Sequence, residues 1–469
     1  MSDSQVLADE KYEFKPRARR NIFILLGTGI VLFVLGVILA MSSAANHEEG
    51  VESSKEHASA QVDNSLVASA QHGEVEKVKE GGEEHHEEAE TPTWLKRIYS
   101  SLWMNNVFFA GLGIIGLFFI AIQYAAQAGW SAGVKRIPLA MGHWIPFAGI
   151  IMLVLFFVVK HDVFHWTHSA LYNEFNADGS VNTHYDEIIA GKQGFFFWPL
   201  AGGGFPIFFV ARMIIFFGLW YMFFLWIKKE MLTEDLDGSI NHWYTSRKLS
   251  TIFLVIFGYT SSVAAWDWVM SIDTHWFSTM TGWYVFASWW VCGLAMITYI
   301  VVSLKDLGYL KVVNQNHIHD LGKFVFAFSV FWTYIWFSQF MLIYYANIPE
   351  ETVYFVQRRT VAPYSWIFFA NLFLNFVLPF LLLMMRDSKR QIAMLKVVCP
   401  IVILGHWLDY FNMVTPGVMK GEGGIGFLEI GLAMIFMAAF LLVTLSSLTK
   451  FPLVAKHDPM LRESLGHHI

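Results

Sequence analysis

Ten stretches of about 20 predominantly apolar residues dominate this chain, and each is long enough to cross a hydrocarbon core of about 30 Å as a helix. They run over Ile22–Met41, Trp103–Ala126, Ile137–Val159, Phe205–Ile227, Leu249–Ser271, Gly282–Leu304, Gly322–Ala346, Pro363–Met385, Ile392–Val414 and Ile425–Leu448. In lipid every backbone polar group must be satisfied within the structure, and these runs are too long and too uniformly apolar for barrel strands. The expected fold is therefore an all-α polytopic membrane protein of about ten transmembrane helices. Ile22–Met41 follows Arg17, Arg19 and Arg20 and ends in small residues, as a signal peptide would, but its apolar core is longer than such a segment carries. It reads as an uncleaved anchor behind an N-terminal tail over 1–21.

Composition agrees. Of 469 residues, 55% are hydrophobic and only 15% charged, against about 25% charged in soluble domains. The 43 Phe and 19 Trp suit a lipid-facing surface with interfacial aromatic belts. The two cysteines, Cys292 and Cys399, lie in apolar runs, so no disulfide framework and no cysteine-held zinc or iron-sulfur site is available. No Cys-x-x-Cys-His for covalent haem attachment, no phosphate loop and no Ser/His/Asp set occurs.

The net charge of −6 is misleading, because residues 43–93 alone contribute −10 and leave the rest at +4. That stretch belongs to a loop over 42–102, rich in Glu, His, Ser and Ala, which reads as partly disordered or ordered by a partner. Its five histidines read as solvated. With the N-terminus placed in the cytoplasm, the inside segments carry 21 Lys and Arg and the outside segments 10, so both termini are expected inside and the acidic loop outside. A tail over 450–469 completes the chain after the helical region 103–449.

Ionisable side chains within spans are costly and point to function. Arg212 lies near the outer end of the fourth span and Asp267 near that of the fifth. His406 and Asp409, three residues apart and on one helix face, occupy the outer half of the ninth, and Glu429 follows the outer start of the tenth. Toward the inner side are His143 in Gly-His-Trp-Ile-Pro, and then His319, Asp320 and Lys323. Neutral polar residues lie between: Ser338 and Gln339, Asn371 and Asn375, Gln123 with Tyr124. Water and such groups together could carry a proton. The competing structural reading pairs Arg212 with Asp267 or Glu429 to hold helices in register. His161, His165 and His168 would form a metal face if helical, and His165 with His406 could be axial haem ligands at matched depth. Both also read as ordinary histidines of helix ends.

Two runs carry a family resemblance. SVAAWDWVMSIDTHWFSTMTGWYVFASWW from Ser262, and HDLGKFVFAFSVFWTYIWFSQFMLIYYANIPEET over His319–Thr352, resemble the smaller polysulfide-reductase-like (NrfD-like) membrane subunit of bacterial alternative complex III, a quinol:cytochrome c oxidoreductase. The resemblance implies helices arranged largely as two four-helix bundles plus extra helices, in the bacterial inner membrane. It implies a quinol substrate for the complex as a whole, with no redox cofactor bound by this chain. Partners follow from it: a larger NrfD-like membrane subunit as the better candidate for the quinol site, an iron-sulfur subunit carrying iron-sulfur clusters, multihaem cytochrome c subunits carrying haem c, and a terminal oxidase as acceptor. By motif, Asp267, Asp273 and His275 fall in the aspartate-rich outer stretch, and Ser338, Gln339 and Glu350 in the seventh-span motif.

The leading expectation is thus an integral subunit of the respiratory electron-transport chain that supports quinol oxidation, with proton conduction or structural support as its part. Two alternatives stay open. In one, Arg212, His406 and Asp409 hold a quinol headgroup in this chain. In the other, the protein is a stand-alone secondary transporter, although no matched pair of Gly/Pro-interrupted helices marks a midplane site.

Overall fold

The computed structural model describes residues 10–66, 91–176 and 178–468, with side chains for all of these except 44–66. Ten helices long and apolar enough to cross a membrane follow one another: Pro16–Ser43, Thr93–Ala125, Arg136–Val163, Ile207–Asp237, Ile240–Ile272, Met280–Asp306, Gln315–Ala346, Tyr364–Leu383, Ile392–Met419 and Phe427–Leu448. They are the first to tenth spans below. Among the described residues there is no strand, and the molecule is an all-α polytopic membrane protein.

Most helices overrun the apolar stretches that mark them. The second begins ten residues before Trp103, because its first turns satisfy their backbone within the helix whether or not lipid surrounds them. The first helix continues to Leu66, into the segment expected to be a loop, whose Ala, Glu and Lys content favours helix. The remainder of that segment, 67–90, and the side chains of its histidines lie outside the described residues.

Spans two to five pack as one four-helix bundle and spans six to nine as another, while the first and tenth run as a pair alongside. The second and sixth spans, one from each bundle, meet at the centre and are almost wholly buried. Small residues permit these approaches, as lipid-embedded helices require. A Cβ on Gly36 would stand 2.2 Å from the backbone nitrogen of Leu428, and one on Gly111 would stand 1.8 Å from the Trp289 indole. Buried indoles then tie helices together: Trp103 Nε1 donates to the Trp268 carbonyl (2.8 Å), Trp289 Nε1 to the Val107 carbonyl (3.1 Å) and Trp407 Nε1 to Asn105 Oδ1 (2.9 Å).

The end of the bundle where the first span begins is called proximal here and the opposite end distal. The tail returns to the proximal end, where the Leu453 amide donates to the Glu10 carbonyl at 2.8 Å. At the distal end, residues 164–176 and 178–206 fold over the third to fifth spans. Trp166 stacks on Phe196 at 3.9 Å, and Asp186 caps the short helix Glu187–Gly191 by accepting from the Ile189 amide at 3.0 Å.

Candidate functional site

A fully buried polar cluster forms inside the second bundle. His406 falls halfway along the ninth span and Asp409 one turn beyond it, both fully buried. Among the described residues no Lys or Arg pairs with Asp409. Its carboxylate instead accepts from Tyr284 Oη of the sixth span, from Trp332 Nε1 of the seventh (3.0 Å) and from Asn371 Nδ2 of the eighth (2.7 Å). His406 Nδ1 lies 2.9 Å from Ser288 Oγ and 3.8 Å from Asp409 Oδ2, and its ring stands edge-on to Trp332. Asn375 Nδ2 donates to Asn371 Oδ1.

Helical spacing assembles this set. Tyr284 with Ser288, and Asn371 with Asn375, are each four residues apart and share a face, as His406 and Asp409 do at three. The eighth span departs from α geometry where the site needs it, with a π turn over Phe373–Val377. Pro379 lacks the N–H that would bond the carbonyl of Asn375 four residues earlier, so the ladder loosens at the residue that turns toward Gly405. Two buried atoms of the cluster have no hydrogen-bond partner, His406 Nε2 and Asn375 Oδ1. Buried polar groups are nearly always satisfied, so these two stand out within the cluster.

A second proline effect lies toward the distal end. Pro416 removes the donor that would bond the Asn412 carbonyl, and Arg358 Nε takes its place at 2.7 Å, with Arg358 Nη2 reaching the Met413 carbonyl at 3.0 Å. The same guanidinium pairs with Asp273 Oδ2 at 2.6 Å and lies over the Tyr354 ring. Gln339 donates to Thr281 Oγ1 (3.1 Å), one turn from Tyr284, and to Ser278 Oγ (3.4 Å). Ser338 is half-buried and not joined to these bonds, and Glu350 is exposed in the first turn of the short helix Pro349–Thr360.

The remaining expected residues sit elsewhere, in separate pairs rather than one group. Arg212 and Asp267 form a buried two-bond pair at 2.7 Å each, with the guanidinium against the Phe195 and Phe208 rings. Glu429 pairs not with Arg212 but with Arg97 at 2.8 Å, and also accepts from the Gly426 amide, capping the tenth span. His275 contacts Asp186 at 2.5 Å in the distal cover. His143 lies toward the proximal end, between the Leu139 carbonyl (3.2 Å) and Lys228 Nζ (2.8 Å). There too Asp320 binds Lys323 and His467, each at 2.6 Å.

Arg212 bonds Asp267 and makes no hydrogen bond to His406 or Asp409, the other two residues of the alternative headgroup site. The third span's helix ends at Val163, so His161, His165 and His168 share no helical face, and His165 lies beyond its helix while His406 is mid-span. Among the described residues no three His, Cys, Asp or Glu side chains gather as metal ligands.

Tyr284, Trp332 and Arg358 were the site residues that sequence reasoning missed. The prolines four residues after Asn375 and after Asn412 were the available signals for a freed carbonyl at each place. No protein-family model matches the chain, and no curated protein matches it.

Proposed function

We propose that this chain is the smaller NrfD-like membrane subunit of an alternative-complex-III type quinol:cytochrome c oxidoreductase, placed in a bacterial inner membrane with the proximal end cytoplasmic. One observation carries the reading: the two runs that resemble that family supply two of the three side chains that donate to the buried acid, and the hydroxyl beside His406. Tyr284 and Ser288 come from the first run and Trp332 from the second, and all three touch Asp409 or His406. The resemblance and a buried carboxyl held by neutral donors thus meet at the same place.

The chemistry follows from that arrangement. Quinol oxidation releases two electrons and two protons. In such a complex partner subunits would hold the haem c and iron-sulfur clusters that take the electrons, and the larger related subunit would hold the quinol. His406 Nε2, open and buried, takes up a proton, and Asp409 at 3.8 Å balances the imidazolium that forms. Tyr284, Trp332 and Asn371 hold the carboxylate in place meanwhile, so the charge moves and the helices do not.

Purification in mild detergent tests the assignment. The expected outcome is a complex that contains this chain, haem-bearing and iron-sulfur polypeptides, and quinol:cytochrome c activity. A chain that emerges alone, without haem absorbance, overturns it in favour of a stand-alone transporter.

A further inference from the structure

A second buried charge cluster lies at the proximal end, in the other bundle, and the reading above makes no use of it. Lys135 Nζ pairs with Asp458 Oδ2 of the tail at 2.8 Å, and Arg136 Nη2 with Asp235 Oδ2 of the fourth span at 2.5 Å. All four side chains are buried or nearly so. Glu234, beside Asp235 and 1% exposed, is a third carboxyl in the same place. Its charged and titratable neighbours are Asp458, Lys135, Arg136 and Asp235, with Tyr124 of the second span within reach. Two cations thus face three carboxyls, and each cation already has its own.

The cluster is also short of hydrogen bonds. Glu234 Oε1, Arg136 Nε and Nη1, Trp243 Nε1 and Ser250 Oγ are buried without partners. Tyr124 lies on Trp243 and beneath Lys135, which places the fifth-span face of Trp243, Ser246 and Ser250 against the charges. A native interior leaves few such atoms unsatisfied, and a polar pocket with several convergent donors and acceptors holds water. An extra carboxylate there, with no cation of its own, is too costly to stay charged and dry.

We propose that Glu234 is a hydrated proton-binding site, set in a water-filled chamber that the tail closes from the proximal side. Its ligand class is the hydrated proton: the Glu234 carboxylate takes H⁺ from hydronium, leaving water and a neutral carboxyl, and returns it by the reverse step. The tail is the lid. The Lys456 amide donates to Asp235 Oδ1 (2.9 Å), exposed His457 bonds the Glu234 carbonyl through Nδ1 (3.1 Å), and Asp458 supplies the charge that Lys135 needs. This site does not depend on the quinol reading.

Infrared spectroscopy of the full-length protein, in whatever complex it purifies, tests the proposal. The expected result is a carboxyl C=O band that shifts within minutes of transfer to D2O and is missing from Glu234→Gln. Asp458→Asn gives an independent arm: with two carboxyls left for two cations, Glu234 ionises and the same band disappears although Glu234 is still there. A band of unchanged intensity in Glu234→Gln or in Asp458→Asn overturns the proton site. A band that resists D2O for hours overturns the hydrated chamber.

Discussion

Arg212 and Asp267 face each other from neighbouring spans through two N–H···O bonds of 2.7 Å, buried within the protein. That geometry is the strong, planar form of a carboxylate–guanidinium pair. It ties the fourth span to the fifth beneath the distal cover, whose Phe195 packs on the guanidinium.

Breaking the pair from one side strands a buried charge. Asp267→Ala is expected to lower stability by about 3–5 kcal/mol, whereas the double change Arg212→Met with Asp267→Leu removes both charges and recovers most of that loss. Thermal unfolding in detergent reads the difference. If the double variant is as unstable as the single one, the loss does not come from a stranded buried charge.

Asp409 differs, because its partners are neutral donors and its charge is left free to respond. Asp409→Asn keeps the side-chain shape but turns an N–H2 toward one of three donors, so under the proposed function the complex is expected to assemble with some loss of stability while proton-coupled quinol oxidation falls by about tenfold or more, at least 1.4 kcal/mol in the barrier. Turnover of the purified complex, measured beside subunit content, checks this. Full coupled activity in the variant would remove Asp409 from the mechanism.

The spans were legible because twenty apolar residues in a row admit few other structures. Their ends were not, since helix that projects past the lipid carries no apolar signal, as at Thr93–Leu102. His406 and Asp409 were legible as a pair from their spacing alone. Their depth was judged from the apolar stretch ending at Val414, whereas the helix continues to Met419 and centres them. Partner choice was the least readable part. Arg212 with Asp267 was one of two pairings considered, but Arg97 for Glu429 and Arg358 for Asp273 come from segments remote in sequence. Tyr284 and Trp332 were hidden among many aromatic residues that only pack.

Gly405 tests whether the π turn positions Asn375. A Cβ there would stand 2.2 Å from Asn375 Oδ1 and 2.9 Å from Leu374 Cβ, so Gly405→Ala must push the eighth span away. The expected cost is about 1–3 kcal/mol, the usual range for overpacking. Adding Asn375→Ala makes room, and the double variant is expected to be more stable than the sum of the single effects. Strict additivity in thermal unfolding would mean that the two residues do not meet.

The distal cover should loosen in acid. Burial pushes the Asp186 carboxyl up, but the Ile189 N–H and the His275 imidazole outweigh it and hold the group below its ordinary value. A carboxyl held lower in the folded protein than in the unfolded one stabilises the fold above the unfolded value, near pH 4, and loses that contribution as pH falls through the folded one. His275 is exposed and Asp186 only partly covered, so solvent screens the pair and the effect is local. Protection of the amides across 182–200, corrected for the intrinsic pH dependence of exchange, is therefore expected to fall as pH drops below about 4, and Asp186→Asn to be weakly protected at every pH with that acid step gone. An unchanged acid step in the variant would assign it to other carboxyls of the cover.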